Sequence, residues 1–174
     1  QQLIKLAQSR PGELNYGSGG NGTPSHICGE MLRYMAKIRI AHVPYKGTGQ
    51  SITDLMAGQI QIVFASMPVV FPHMKTGRMR TLGVTGAKRT PLAPDLPTMA
   101  ESGLPGYAFD SWWGFVVPAG VAPAVITTLN TETRRVLISE HVRARLHGQR
   151  AALAAAIGPA VYSLLVDRFR CSGR

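Results

Sequence analysis

Residues 15–32 read NYGSGGNGTPSHICGEML, and the order of residue types in them decides the fold. A short stretch ending at Ser18 runs into Gly19, Gly20 and Gly22, and Thr23-Pro24 then stands where a helix begins. Thr23 suits the N-cap and Pro24 the first helical turn, because the proline lacks the N–H that has no partner there. Ile27, Met31, Leu32 and Met35 recur at helical spacing, so a helix is expected to about Ala36. With a strand at Leu14–Ser18 in front, the whole is a strand–loop–helix unit. A helix N-terminus exposes unpaired amides and a partial positive charge, and glycines leave them open to an anion's oxygens. The side chains of Ser18 and Thr23 add donors, Asn21 lies at the loop's tip, and His26 sits one turn inside the helix.

The same unit repeats outward. A helix tail, Leu3–Ser9, stops at RPGE. After the first unit a strand is expected from Ile38 to Val43, closed by Pro44 and a Tyr45-Lys46-Gly47 turn. A helix from Thr48 to Ala57 follows, with Gly58 as its stop. A strand from Ile60 to Ala65 leads to a helix capped by Ser66, and another strand is expected at Met79–Thr85. Short apolar strands alternating with helices imply an α/β fold with a mostly parallel sheet. Ligands of such sheets bind beyond the carboxyl ends of the strands, which is where the loops after Tyr16, Val43 and Phe64 gather. Downstream, Phe109–Gly120 brings an aromatic strand and a turn, Val125–Leu137 a helix headed by Pro123, and Glu140–Leu146 a short helix. The stretch Tyr107–Asp110 reads as the crossing into a second unit.

Three readings of the glycine loop stand side by side: a structural turn, a nucleotide site, and a site for a carboxylate or similar anion. A Walker loop needs a lysine where Thr23-Pro24 stands. The pattern G-x-G-x-x-G does occur at residues 17–22, but its acidic partner about 20 residues on is replaced by His42-Val43-Pro44-Tyr45. The carboxylate reading is favoured. Tyr45, Lys46 and Gly47 would furnish a phenol, an ammonium and backbone from the second loop; Phe64, Ala65 and Ser66 would form a third wall.

A net charge of +10 suggests phosphate binding, yet the Lys and Arg residues are scattered and carry no interleaved aromatic platform, so no nucleic-acid partner is expected. Cys28 and Cys171 are far apart and outside any Cys/His cluster, which leaves no metal or cofactor expected and Cys28 as a buried thiol. No run approaches the ~18 apolar residues of a membrane helix. The opening residues lack the basic region and apolar core of a signal peptide, so the chain is expected to be cytosolic or to lack its front. His26, His42 and His73 lie on separate elements and the few carboxylates form no evident pair. An enzyme is not expected.

Four consecutive blocks, ELNYGSGGNGTPSHICGEML, HVPYKGTGQSITDLMAGQIQIVFASMP, GRMRTLGVTGAKRTPLAPDLPTMAESGLPGY and SWWGFVVPAG, resemble the Bug or tripartite tricarboxylate transporter solute receptors. The resemblance implies a periplasmic-binding-protein type II-like fold, with one complete α/β lobe and part of the other. By it, residues 1–13 are a helix tail and linker, 14–107 the complete ligand-binding lobe, 108–148 a returning part of the first lobe, and 149–174 a divergent tail or the product of a shifted frame. The family's signal peptide and most of its first lobe would precede this chain. The implied function is periplasmic capture of a small carboxylated solute for the membrane subunits of a tripartite transporter. Ser18–Thr23 would receive a carboxylate on backbone amides, beside walls at Tyr45–Gly47 and Phe64–Ser66. Receptors of this family often carry an Asp-Asn-like pair where Ala65-Ser66 stands here, which favours a solute without an ammonium group. Apolar surface around Trp112 and Trp113, left uncovered by the absent lobe, would promote self-association. An effector-sensing domain of a transcription regulator and a small anion-processing enzyme remain as alternatives.

Overall fold

The computed structural model describes residues 1–74, 76–91, 93–111, 116–118 and 120–142. The chain divides into two compact units, Gln1–Trp113 and Gly114–Arg174. In the first unit the order is α1 (Gln2–Ser9), β1 (Asn15–Ser18), α2 (Pro24–Ala36), β2 (Ala41–Pro44), α3 (Thr48–Met56), β3 (Ile62–Val63) and α4 (Met67–Met74). The described part of the second unit contains α5 (Pro123–Ile138), which begins with Pro123 in its first turn. The division lies a few residues after the expected crossing at Tyr107–Asp110.

All three strands are parallel, in the order β2-β1-β3. The chain therefore steps from β1 to one neighbour and then crosses to the other, so the order reverses at β1. In a parallel sheet such a reversal opens a crevice beyond the carboxyl ends of the strands. The registers Tyr16↔His42, Ser18↔Pro44 and Tyr16↔Ile62 place the glycine loop directly at that crevice.

The core gathers Ala7, Leu14, Tyr16, Leu32, Ala36, Ile38, Ile40, Ile62, Leu104 and Tyr107. Helix α2 turns Ser25, Cys28, Gly29, Leu32 and Ala36 inward, a spacing that keeps one face on the sheet. It ends in a Schellman turn: Lys37 adopts a left-handed conformation (φ 51), its amide donates to the Tyr34 carbonyl, and the Ile38 amide reaches back to the Arg33 carbonyl. Gly58 (φ 75) closes α3 in the same way, with bonds from the Gly58 amide to Leu55 and from the Gln59 amide to Asp54. Burial pushes the Cys28 thiol up to about 11, in keeping with an unreactive apolar side chain.

Several strands are shorter than their apolar runs suggest. The second begins at Ala41 rather than Ile38, because the chain must first leave the helix-terminating turn; Ile38 and Ile40 are still buried. The third spans two residues instead of the expected Ile60–Ala65, since a side chain takes over at its start, where the Asn15 amide donates to Gln61 Oε1 at 2.9 Å. The expected strand at Met79–Thr85 is reduced to one parallel bridge, Val84↔Thr98. Around Gly83 the backbone lies so near Pro97 that an added Cβ would stand 2.9 Å from the Pro97 carbonyl oxygen. Within the stretch expected as an aromatic strand and turn, the described residues form no strand, and residues 112–115 and 119, Trp112 and Trp113 included, lie outside the described residues. So do residues 143–174, with the rest of the Glu140–Leu146 helix and the divergent tail.

Gly29 is where α2 meets the sheet most closely, and an added Cβ would drive into the Tyr16 ring. Inside a helix, Gly→Ala ordinarily stabilises by about 1 kcal/mol. Here the sign should reverse: Gly29→Ala is expected to cost about 1–3 kcal/mol through overpacking, read as a lower denaturant midpoint, and an unchanged or higher midpoint would contradict this packing.

Candidate glycine-loop anion site

The loop between β1 and α2 is fastened by side chains. Ser18 is fully buried, and its Oγ accepts the Gly20 amide at 3.1 Å while lying 2.6 Å from His42 Nε2. The Gly19 amide donates to Ser25 Oγ at 3.0 Å, and the Gly22 amide donates to His26 Nδ1 at 3.1 Å. Thr23 stands at the N-cap position, but its hydroxyl donates to the Gly20 carbonyl at 2.7 Å rather than capping a helix amide. Gly20 (φ 124) and Gly22 (φ 77) hold conformations that side-chain-bearing residues rarely adopt, which is why glycine stands at both.

These bonds correct one expectation. The amides of Gly19, Gly20 and Gly22 are not bare, because polar side chains of β1 and of the first turn of α2 fold back onto them. Among the described residues, the loop amides without an acceptor are those of Asn21, Ser25 and His26. The amides left without an acceptor are thus those of the loop tip and of the first turn of α2.

The second loop sits where the sequence puts it. The Tyr45 amide donates to the Ser18 carbonyl at 3.0 Å, and the Tyr45 hydroxyl donates to Asp54 Oδ2 at 2.8 Å. Burial, together with that bond, raises the Tyr45 phenol's pKa. Lys46 is exposed, and Gly47 precedes α3 with φ 149. An added Cβ on Gly19 would stand 3.5 Å from the Thr48 amide nitrogen, so the start of α3 abuts the glycine loop. In the third loop Phe64 meets Tyr16 edge to face at 6.5 Å. The Ser66 carbonyl accepts the Val69 and Val70 amides at the start of α4.

Residues outside the expected set connect these parts. The His42 ring stacks on Tyr16 at 4.8 Å and on His26 at 4.3 Å. The Tyr16 hydroxyl donates to Glu30 Oε1 at 2.6 Å, and Glu30 pairs with Arg33 at 2.7 Å. Desolvation by burial, with His26 alongside, lowers the His42 pKa. The histidines stand on separate elements in the sequence, and strand register brings two of them into contact. The usable signal was His42 lying opposite Tyr16 in adjacent parallel strands; Ser25, inside the helix, offered none.

Ser18 and His42 have the spacing of a nucleophile and its base. Full burial and the Gly20 bond make the serine a fastening for the loop instead. No group of three or more His, Cys, Asp or Glu among the described residues could hold a metal ion, and no helix there is long and apolar enough to cross a membrane.

Residues 1–155 match the family described as "Tripartite tricarboxylate transporter family receptor". The chain belongs to that family. Among its relatives, a protein from the tcbD-tcbE intergenic region of a Pseudomonas species is 35% identical over 142 residues, which cover 81% of this chain and 42% of that protein. BugT of Bordetella pertussis is 31% identical, with 80% and 43% covered. The chain thus spans about two fifths of the length of these relatives. Three solved structures share the fold. An adipate-bound protein of R. palustris has TM-score 0.84 at 34% identity, covering 95% of this chain and 55% of that one. Malate-bound MatC from Rhodopseudomonas palustris has 0.85 at 27%, covering 96% and 57%. The periplasmic binding protein BugD has 0.84 at 26%, covering 96% and 56%. The receptor family's α/β architecture with a parallel sheet is the one described above.

Because burial lowers the His42 pKa in the fold, the unfolded chain binds the proton more readily, and the stability present above the ordinary imidazole value is lost as pH falls below about 6.5. Acidification through that window should lower the denaturant midpoint, and His42→Gln should flatten the dependence. An equally steep fall in the variant would assign it to other groups.

Proposed function

We propose that this chain carries the glycine-loop lobe of an extracytoplasmic receptor that captures a small dicarboxylate for a tripartite tricarboxylate-type transporter. The observation that carries this reading is the convergence of a glycine loop, a helix N-terminus with unaccepted amides and two flanking loops at the reversal point of a parallel sheet. Relatives whose structures hold adipate and malate support a carboxylate as the ligand. In this reading residues 14–107 are the lobe, residues 108–148 return toward the other one, and residues 149–174 are a divergent tail. The receptor is periplasmic, its partners are the transporter's membrane subunits, and it performs no catalysis.

The proposed contacts are the Asn21, Ser25 and His26 amides, with Ser18, Gly19, Gly20, Gly22 and Thr23 shaping the loop around them. Tyr45, Lys46 and Gly47 stand on one side, and Phe64, Ala65 and Ser66 on the other. Three charge-assisted bonds at ~1.5–3 kcal/mol each barely reach the ~8 kcal/mol of micromolar binding before any ordering cost is subtracted. High affinity therefore needs the remaining length of the receptor, whose second surface would exclude water from these bonds. Residues 1–174 by themselves are expected to bind weakly and to associate through exposed apolar surface.

Calorimetry with adipate and malate, on this chain and on a version restored to the length of its relatives, tests the proposal. Binding is expected at high affinity for the restored version and weakly for the short chain; no heat from either, with any dicarboxylate, would remove it. Gly22→Val should weaken binding by about tenfold or more, since a β-branched residue does not adopt φ near +77. Lys46→Ala should change it less than about threefold, being one exposed charge. Equal affinities for parent and Gly22→Val would reject the loop as the site.

A further inference from the structure

One fastening of the glycine loop can change its charge. The Gly22 amide donates to His26 Nδ1, a bond that exists only while that nitrogen keeps its lone pair free of a proton. The same ring stacks at 4.3 Å, with 26° between planes, on His42. His42 in turn lies on the buried Tyr16 ring and 2.6 Å from Ser18 Oγ. A charge on His26 therefore opposes one on His42.

The charged and titratable groups around the pair are few. On α2, Glu30 is committed to Arg33 and to the Tyr16 hydroxyl. On β1 there is Tyr16 itself, and beyond β2 stand Tyr45, tied to Asp54 of α3, and exposed Lys46. The electrostatic influences on His42 come from His26, Glu30 and Arg33. Protonated His42 can still donate from Nε2 to Ser18 Oγ, so its fastening survives a proton. His26 cannot keep its own: with a hydrogen on Nδ1, two N–H groups face each other.

We propose that His26 is a proton-operated latch on the glycine loop. Neutral, it accepts the Gly22 amide and closes the loop on itself; protonated, it releases that amide to the anion and adds an imidazolium beside it, so that capture of a carboxylate takes up a proton from solvent. The latch is a positioning device within the site, and its coupling to capture rests on the receptor reading above. It also accounts for a histidine at the first turn of a helix, where a cation opposes the helix dipole unless an anion arrives.

The latch can be tested without ligand. In an NMR titration of the full 174-residue chain between about pH 5 and 8, the range in which imidazoles change charge, the Gly22 amide resonance should move with the same midpoint as the His26 ring. In His26→Gln, whose side-chain oxygen still accepts the amide but binds no proton, the Gly22 resonance should stay fixed while the rest of the spectrum keeps the native pattern. A Gly22 amide that ignores the His26 titration, or one that titrates unchanged in His26→Gln, overturns the latch.

Calorimetry with adipate at about pH 6.5 and about pH 8, on the version restored to its relatives' length, reads the coupling. The parent should bind about threefold or more tightly at the lower pH, with proton uptake seen as a buffer-dependent heat, and His26→Gln should bind equally at both. Equal affinity in the parent overturns the coupling. Absence of adipate binding at either pH counts against the receptor reading, while the latch itself is decided by the ligand-free titration.

Discussion

The contact of the Tyr16 ring with the bare backbone of Gly29 sets the distance between the central strand and its first helix, and the site follows from that distance. Tyr16 is fully buried and touches a segment on each side of the crevice. Its ring faces α2 at Gly29, stacks on His42 of β2 and meets Phe64 after β3; its hydroxyl ends on Glu30. A smaller side chain would leave α2 without a stop, and a larger residue at 29 would push the helix off the sheet. Because the helix cannot slide, its N-terminus opens at a fixed place beside the carboxyl end of β1, and the glycine loop has one span to bridge.

That loop shows how a chain manages polar backbone at the edge of a crevice. Amides left pointing into a half-closed crevice are costly when unpaired. Serine and histidine side chains from neighbouring turns supply acceptors for three of them. Those acceptors are uncharged side-chain atoms, so they are weaker partners than a carboxylate would be. The arrangement keeps the loop in shape, and under the proposed receptor reading an anion would displace these acceptors at modest cost.

The α/β class, the parallel sheet, the order of elements and the cluster of loops were legible because each rests on local chemistry. Alternating apolar runs, Pro24 at a helix start and Gly58 at a helix end carry their meaning within a few residues. The strand ends were less legible, since apolar runs report burial and not ladder bonding; Ile38 and Ile40 are core residues that belong to no strand. The fate of the loop amides was illegible for a different reason. Whether a glycine N–H is free depends on where Ser25 and His26 rotate their side chains, and His42 joins them only through strand register. Pairings across 16 and 24 positions, such as His26–His42 and Ser18–His42, leave no trace in spacing.

Tyr107 adds a constraint of timing. Its buried hydroxyl donates to the Cys28 carbonyl of α2 at 2.9 Å, across 79 positions of sequence, and Leu104 completes the same cluster. A nascent chain that has emerged as far as β3 already holds the three strands of the sheet, yet the inner face of its first long helix is still missing two of its neighbours. Closure of so non-local a contact comes late and slowly, so the glycine loop acquires its final support only when the last quarter of this unit has left the ribosome.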